Sequence, residues 1–238
     1  MVYKTTRRKL VVRGALLAMI AALLAAGVVW LNQAKERGRQ LVAYGRLSQM
    51  RLALQLYEDD YGTLPPLFLR NSAGNPTQSW RALISPYIGG GFNDQLEQLD
   101  LSQPWNSGQN RGIIDKVSPN RWACFALDGS QMALPVATKI LAYVGRESFW
   151  DAGTGLPVRK TTEHPDAVLL VWIPKGNLHP LQPGDITEEE VRERVEQGER
   201  VSFIAAGQEY GYGIITLERG ELAFHTWQQE LDRREGRH

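Results

Sequence analysis

The chain has 238 residues, 43% of them hydrophobic and 22% charged, with 27 Lys and Arg against 26 Asp and Glu. That is ordinary globular composition, not that of a disordered chain, and a formal net charge of +1 excludes a broad electrostatic case for nucleic acid or an acidic partner. The single cysteine, Cys124, excludes an internal disulfide and reads as a buried thiol in the apolar run "RWACFAL".

Residues 1–13 form a basic leader containing Lys4, Arg7, Arg8, Lys9 and Arg13. Residues 14–34, "GALLAMIAALLAAGVVWLNQA", carry no charge. About 20 apolar residues in a helix span a hydrocarbon core of roughly 30 Å, so this stretch predicts a transmembrane helix, with Trp30 as an interfacial anchor. A cleaved signal peptide ending near Ala25–Gly27 is the competing reading. The lipid bilayer is thus the first partner expected. Basic residues also follow the stretch (Lys35, Arg37, Arg39, Arg46 and Arg51). The short leader still makes a cytoplasmic N-terminus with a periplasmic or extracellular C-terminal domain the simpler arrangement.

Residues 35–61 predict an amphipathic stalk helix continuous with the first. Leu47, Met50, Leu54, Tyr57 and Tyr61 recur at steps of three and four, which draws one apolar seam along a helix. Arg46, Gln49, Arg51, Gln55 and Glu58 fall beside it as a solvated flank. Gly62 suits a left-handed helix stop, and Pro65 and Pro66 cannot continue a helix. Glu58, Asp59 and Asp60 crowd the last turn, where the helix dipole disfavours negative charge. A solvated turn, with Arg51 or Arg70 as a partner, accounts for them; consecutive carboxylates point around a helix and do not converge on an ion.

Residues 62–230 predict an extracytoplasmic α+β head. "SWRALISPYI" (79–88) reads as a short helix capped by Ser79 and ended near Pro86. "IGGGFNDQ" and "QPWNSGQNRG" read as loops, the first lacking the Lys-Ser/Thr of a phosphate cradle. Apolar runs at 121–127, 139–145, 166–173 and 201–205 predict strands, and "GIITLERGELAFHTW" predicts a hairpin turning at 218–220. "DITEEEVRERVEQG" carries Thr187 and Glu190 at capping-box spacing and stops at Gly198. Residues 231–238 form a charged tail. The fold class expected is α+β: a long N-terminal helix, transmembrane and then amphipathic, packed on an antiparallel β-sheet head.

The chain offers little for catalysis. His164, His179, His225 and His238 are scattered, none in an H-x-x-x-H pair or beside the cysteine, and they read as loop or surface residues. Ser130 in "DGSQM" lacks the nucleophile-elbow frame. No catalytic, cofactor-binding or metal-ligating residue is assigned, and no cofactor is expected. A hydrolase would have only Cys124, these histidines and scattered carboxylates behind it. Trp80, Trp105, Trp122, Trp150, Trp172 and Trp227 read first as core, with a glycan or peptide groove as the alternative.

"LALQLYEDDYGTLPP" resembles the end of the long N-terminal helix in type IV pilin-like proteins, with Tyr57, Asp60, Gly62 and Pro65 at the matching positions. The order of that helix end, the "SWRALISPYI" segment and "PWNS" (104–107) is similar to a family of uncharacterised bacterial pilin-like proteins related to the major pseudopilin of type II secretion. The resemblance implies a pilin-like fold, a peptidase site after Gly14 and pilin-like subunits or secretion components as partners. Ala15 and Met19 stand where that family carries Phe and Glu, so the buried ion pair of filament subunits is not available to this chain. A tip-like or permanently anchored relative is implied, with a structural or protein-interaction role and no enzymatic activity. A membrane-tethered glycan- or peptide-binding module is the alternative.

Overall fold

The computed structural model describes residues 3–88, 96–117, 122, 125, 137–173, 176, 178–207, 211–227, 229 and 232. Two compact units divide the chain, Met1–Val42 and Ala43–His238, so the division falls inside the expected stalk. Helix α1 runs Tyr3–Tyr61. In the first unit its described side chains begin at Met19, and every large apolar one from Met19 to Leu31 is between 44% and 70% exposed.

The expectation of a transmembrane-then-amphipathic helix on an antiparallel, pilin-like sheet is corrected on two counts. Among the described residues no helix is long and apolar enough to cross a membrane. The main sheet, moreover, is mixed.

In the second unit, Ala43–Tyr61 supplies the α1 face that packs. Leu47, Met50, Ala53 and Leu54 are wholly buried, and Tyr57 packs at the margin of the same core. The seam stops short of its predicted end, because Tyr61 is 65% exposed. Its flank is less solvated than expected. Arg51 and Glu58 are buried, Gln55 Nε2 donates to the Ala206 carbonyl at 3.0 Å, and Arg51 Nη1 donates to the Gly207 carbonyl at 3.4 Å. Gly62, at φ 75°, closes the helix by donating its N–H to the Glu58 carbonyl at 2.7 Å, a left-handed stop that suits a residue without Cβ.

A two-stranded antiparallel ribbon follows, β1 (Phe68–Arg70) with β2 (Pro76–Ser79), then α2 (Trp80–Ile84) and a single 3-10 turn at Ser85–Tyr87. Helix α3 (Gly108–Ile114) occupies a stretch expected to be loop: Ser107 caps it by accepting from the Asn110 N–H. The six-stranded sheet comprises β3 (Ile140–Val144), β4 (Val168–Trp172), β5 (Ile186–Thr187), β6 (Ser202–Ala205), β7 (Tyr212–Glu218) and β8 (Glu221–Thr226). Its order is β5-β3-β4-β6-β7-β8. Only β5 and β3 pair in parallel, since β5 returns on the side of β3 away from β4. Helix α4 (Glu188–Glu196) follows β5 directly, with the predicted capping box in place.

The central strands are covered on both faces, which is why they read as unbroken apolar runs and not as alternating ones. Ile140, Ala142, Leu170, Trp172 and Ile204 join the core built with α1 and Trp80. Leu141, Tyr143, Val171, Phe203 and Ile215 join a second core with Val191 of α4. The predicted hairpin is present as β7 and β8, joined by Arg219 and Gly220 at φ 53° and 84°; positive φ at both positions is the two-residue turn that matches strand twist. Of the strand expected over 121–127, only Trp122 and Phe125 are described, and neither lies in a strand.

Two leucines on one helix turn give a direct check. Leu54→Ala should cost about 2–5 kcal/mol, as truncation of a fully buried leucine does, whereas Leu52, 51% exposed, should lose no more than about 0.5 kcal/mol as Leu52→Ala. Urea unfolding of the two variants reads the difference, and equal losses would show the inward face to be misassigned.

Candidate functional site

A buried polar centre that the sequence reading did not assign forms around Arg81 and Asp185. Ser79, at φ −80° and ψ 157°, caps α2 by accepting from the Arg81 N–H, and this start of the helix places Arg81 wholly inside the core. Its guanidinium donates from Nε and Nη2 to the Ile140 carbonyl at 3.1 and 2.8 Å. Nη1 donates to Ser79 Oγ at 2.6 Å and to the Gly184 carbonyl at 3.5 Å. Nη2 also meets Asp185 Oδ1 at 3.0 Å, with both side chains almost fully enclosed.

Asp185 Oδ1 further accepts from Trp80 Nε1 at 2.9 Å and from the Ala142 N–H at 2.8 Å. Burial pushes the Asp185 carboxyl up and the Arg81 guanidinium down, while the attraction between them opposes both shifts. An arginine does not lose its proton inside proteins, so Asp185 is kept as its counter-charge. One carboxylate oxygen thereby ties α2 to β3 and to the segment entering β5. Its second oxygen, Oδ2, is buried without a hydrogen-bond partner. Arg81 was hidden in the sequence as a polar residue of a short helix, and Asp185 as a turn residue before a cap.

The acidic cluster at the end of α1 splits three ways and does not form one solvated turn. Glu58 is buried and accepts from the Thr161 N–H at 3.2 and 3.3 Å, and from the Thr161 hydroxyl as well. Asp60 accepts from the Tyr87 hydroxyl at 2.6 Å, a bond that pushes the Tyr87 phenol up to about 12. Asp59 stays exposed. The partners suggested for the cluster are engaged elsewhere, since Arg70 Nη1 donates to the Gly74 carbonyl at 2.7 Å. No group of residues able to hold a metal ion occurs among the described ones.

The tryptophans of the second unit belong to the core. Trp80, Trp122, Trp150 and Trp172 are buried, and Trp105 and Trp227 pack against the same cluster, so they do not form an exposed platform. His179 lies in a loop, as expected, but is only partly exposed. Its ring stacks on Trp105 at 4.5 Å and meets the edge of Trp122 at 5.3 Å, while Nδ1 accepts from the Leu181 N–H at 3.2 Å. Burial lowers its pKa to about 4, against a smaller upward pull from Asp115. His225 Nε2 lies 2.9 Å from Glu218 Oε1 across the hairpin. Cys124, Ser130, His238 and the glycine run at 89–91 lie outside the described residues.

Residues 32–167 match the family described as Protein of unknown function (DUF1559), which is more than half of the 238-residue chain. No curated protein and no solved structure matches it.

The partly buried His179 makes stability depend on pH. Its folded pKa of about 4 lies below the ordinary 6.5, so the unfolded chain binds the extra proton between those values. The contribution is complete above about pH 6.5 and is lost as the pH falls toward about 4, amounting to about 3 kcal/mol. His179→Asn keeps an acceptor for Leu181 and does not titrate. Denaturant midpoints measured across this range should fall more steeply for the parent chain than for the variant; parallel slopes would contradict the assignment.

Proposed function

We propose, on the premise that this chain belongs to the DUF1559 family, that it is a non-enzymatic component of a secretion or cell-surface assembly, similar in role to a pseudopilin. In this reading the first unit attaches the protein to the cell membrane, with the N-terminus on the cytoplasmic side. The second unit faces outside the cytoplasm and engages other pilin-like subunits or secretion components.

The observation that carries the proposal is the exposure of the first unit's apolar side chains. From Met19 to Leu31 each large one lies open on the helix surface, Trp30 at 70% and Leu23 and Leu24 at 67% each. A helix apolar all round is ordinarily buried in lipid or among other helices. The sequence order from "YEDDYGTLPP" through "PWNS" supports the comparison with pseudopilins. The enclosed tryptophans favour the interaction role over a glycan- or peptide-binding groove.

Fractionation tests the attachment. The full chain should stay with membranes through an alkaline carbonate wash, and Leu23→Lys with Leu24→Lys should release most of it, because each charge at an apolar membrane depth costs about 2–3 kcal/mol. Recovery of the parent chain in the soluble fraction would overturn the proposal. Co-purification of secretion or pilus components with the retained protein would support the assembly role.

A further inference from the structure

Three tyrosines meet at the C-terminal end of α1. Tyr61, its last residue, stacks on Tyr57 with ring centres 4.4 Å apart and planes inclined by 27°. Tyr87 meets Tyr57 edge-on at 6.2 Å. Tyr57 and Tyr87 pack against the core, whereas Tyr61 is 65% exposed. The Tyr87 hydroxyl also donates to Asp60 Oδ2 at 2.6 Å. The exposed ring thus rests on supports that are fixed before anything binds, which lowers the cost of ordering it.

The acceptors beside these rings break a local rule. Glu58, Asp59 and Asp60 stand where the helix dipole disfavours negative charge, and among the described residues no Lys or Arg pairs with them. Residues 89–95, which follow Tyr87 and Ile88, contain no Lys or Arg. Thr161 answers Glu58, but Asp59 and Asp60 are exposed carboxylates without a cation. A helix C-terminus adds carbonyls that have no donor within the helix.

This chemistry selects the occupant. An anion is repelled by the carboxylates and by the helix end. A neutral sugar stacks on a tyrosine but leaves the charges unanswered. A cation is drawn by the ring face and by the carboxylates together. An ammonium is a compact point charge, whereas a guanidinium is planar, stacks on a ring and reaches several acceptors at once.

We propose that this end of α1 docks an arginine side chain of a partner protein, with the guanidinium lying on the Tyr61 ring and donating to Asp59 and Asp60. The inference deepens the assembly role proposed above and rests on that reading only for the partner's being a protein.

The test uses the full chain in detergent, with its tyrosine rings labelled for NMR. It is titrated with acetyl-Gly-Arg-Gly-amide, with the lysine and citrulline versions of that peptide, and with cellobiose. Saturable shifts are expected at Tyr57, Tyr61 and Tyr87, the arginine peptide binding roughly tenfold more tightly than the neutral citrulline one and several-fold more tightly than the lysine one. Tyr61→Leu should weaken arginine binding several-fold. Asp59→Asn with Asp60→Asn, which keeps an oxygen for the Tyr87 hydroxyl, should bring arginine down to the affinity of citrulline. Equal affinity for arginine and citrulline, lysine binding as tightly as arginine, tighter binding of cellobiose, or no saturable shift at these rings overturns the proposal. The ligand comparison is made on the parent chain, so it decides even if a variant fails to fold. It reads this patch alone, and its failure is therefore distinct from failure of the fractionation or co-purification.

Discussion

A guanidinium enclosed on every side sets the terms for the second unit. Arg81 keeps its proton and has lost its water, so five N–H groups need acceptors of fixed position. They find a strand carbonyl, a helix-cap hydroxyl, a turn carbonyl and one carboxylate oxygen, contributed by elements far apart in the chain. Such a centre adds little net stability over an apolar packing of the same volume. What it does is discriminate: an arrangement that shifts α2, β3 or the start of β5 relative to the others strands a charge in the core.

The apolar layers are arranged around that requirement. One core lies between the sheet and the inward face of α1, the other between the sheet and α4, and Arg81 and Asp185 sit where the first core reaches the β5 edge. Glu58 does comparable work at the far end of the α1 seam, where its carboxylate is held by Thr161. Both carboxylates join sequence-distant segments without facing open solvent.

Local signals carried much of this fold into the sequence. The strands at 140–144, 168–172 and 202–205 were legible because both faces are covered and the apolar run is unbroken. Ser79, Thr187 and Gly220 announced a helix start, a capping box and a hairpin by their own chemistry. What depended on distant partners was hidden. Arg81 looks solvated until Asp185, 104 positions away, is brought beside it. The two residues of β5 are too few to show a period, and its parallel pairing gave the sheet its unexpected mixed character. Helix α3 was lost in a turn-rich composition, although Ser107 stood in front of it.

The bonds from Gln55 and Arg51 to the carbonyls of Ala206 and Gly207 close separations of 151 and 156 residues. A ribosome adding about 5–20 residues per second needs about 8–30 s to make that much chain. Throughout this interval the inward leucines of α1 have been synthesised and the strand that covers them has not. The nascent protein therefore passes through a period in which both halves of its first helix are uncovered, and whatever meets the growing chain first, lipid, chaperone or neighbouring subunit, meets it before the fold can close.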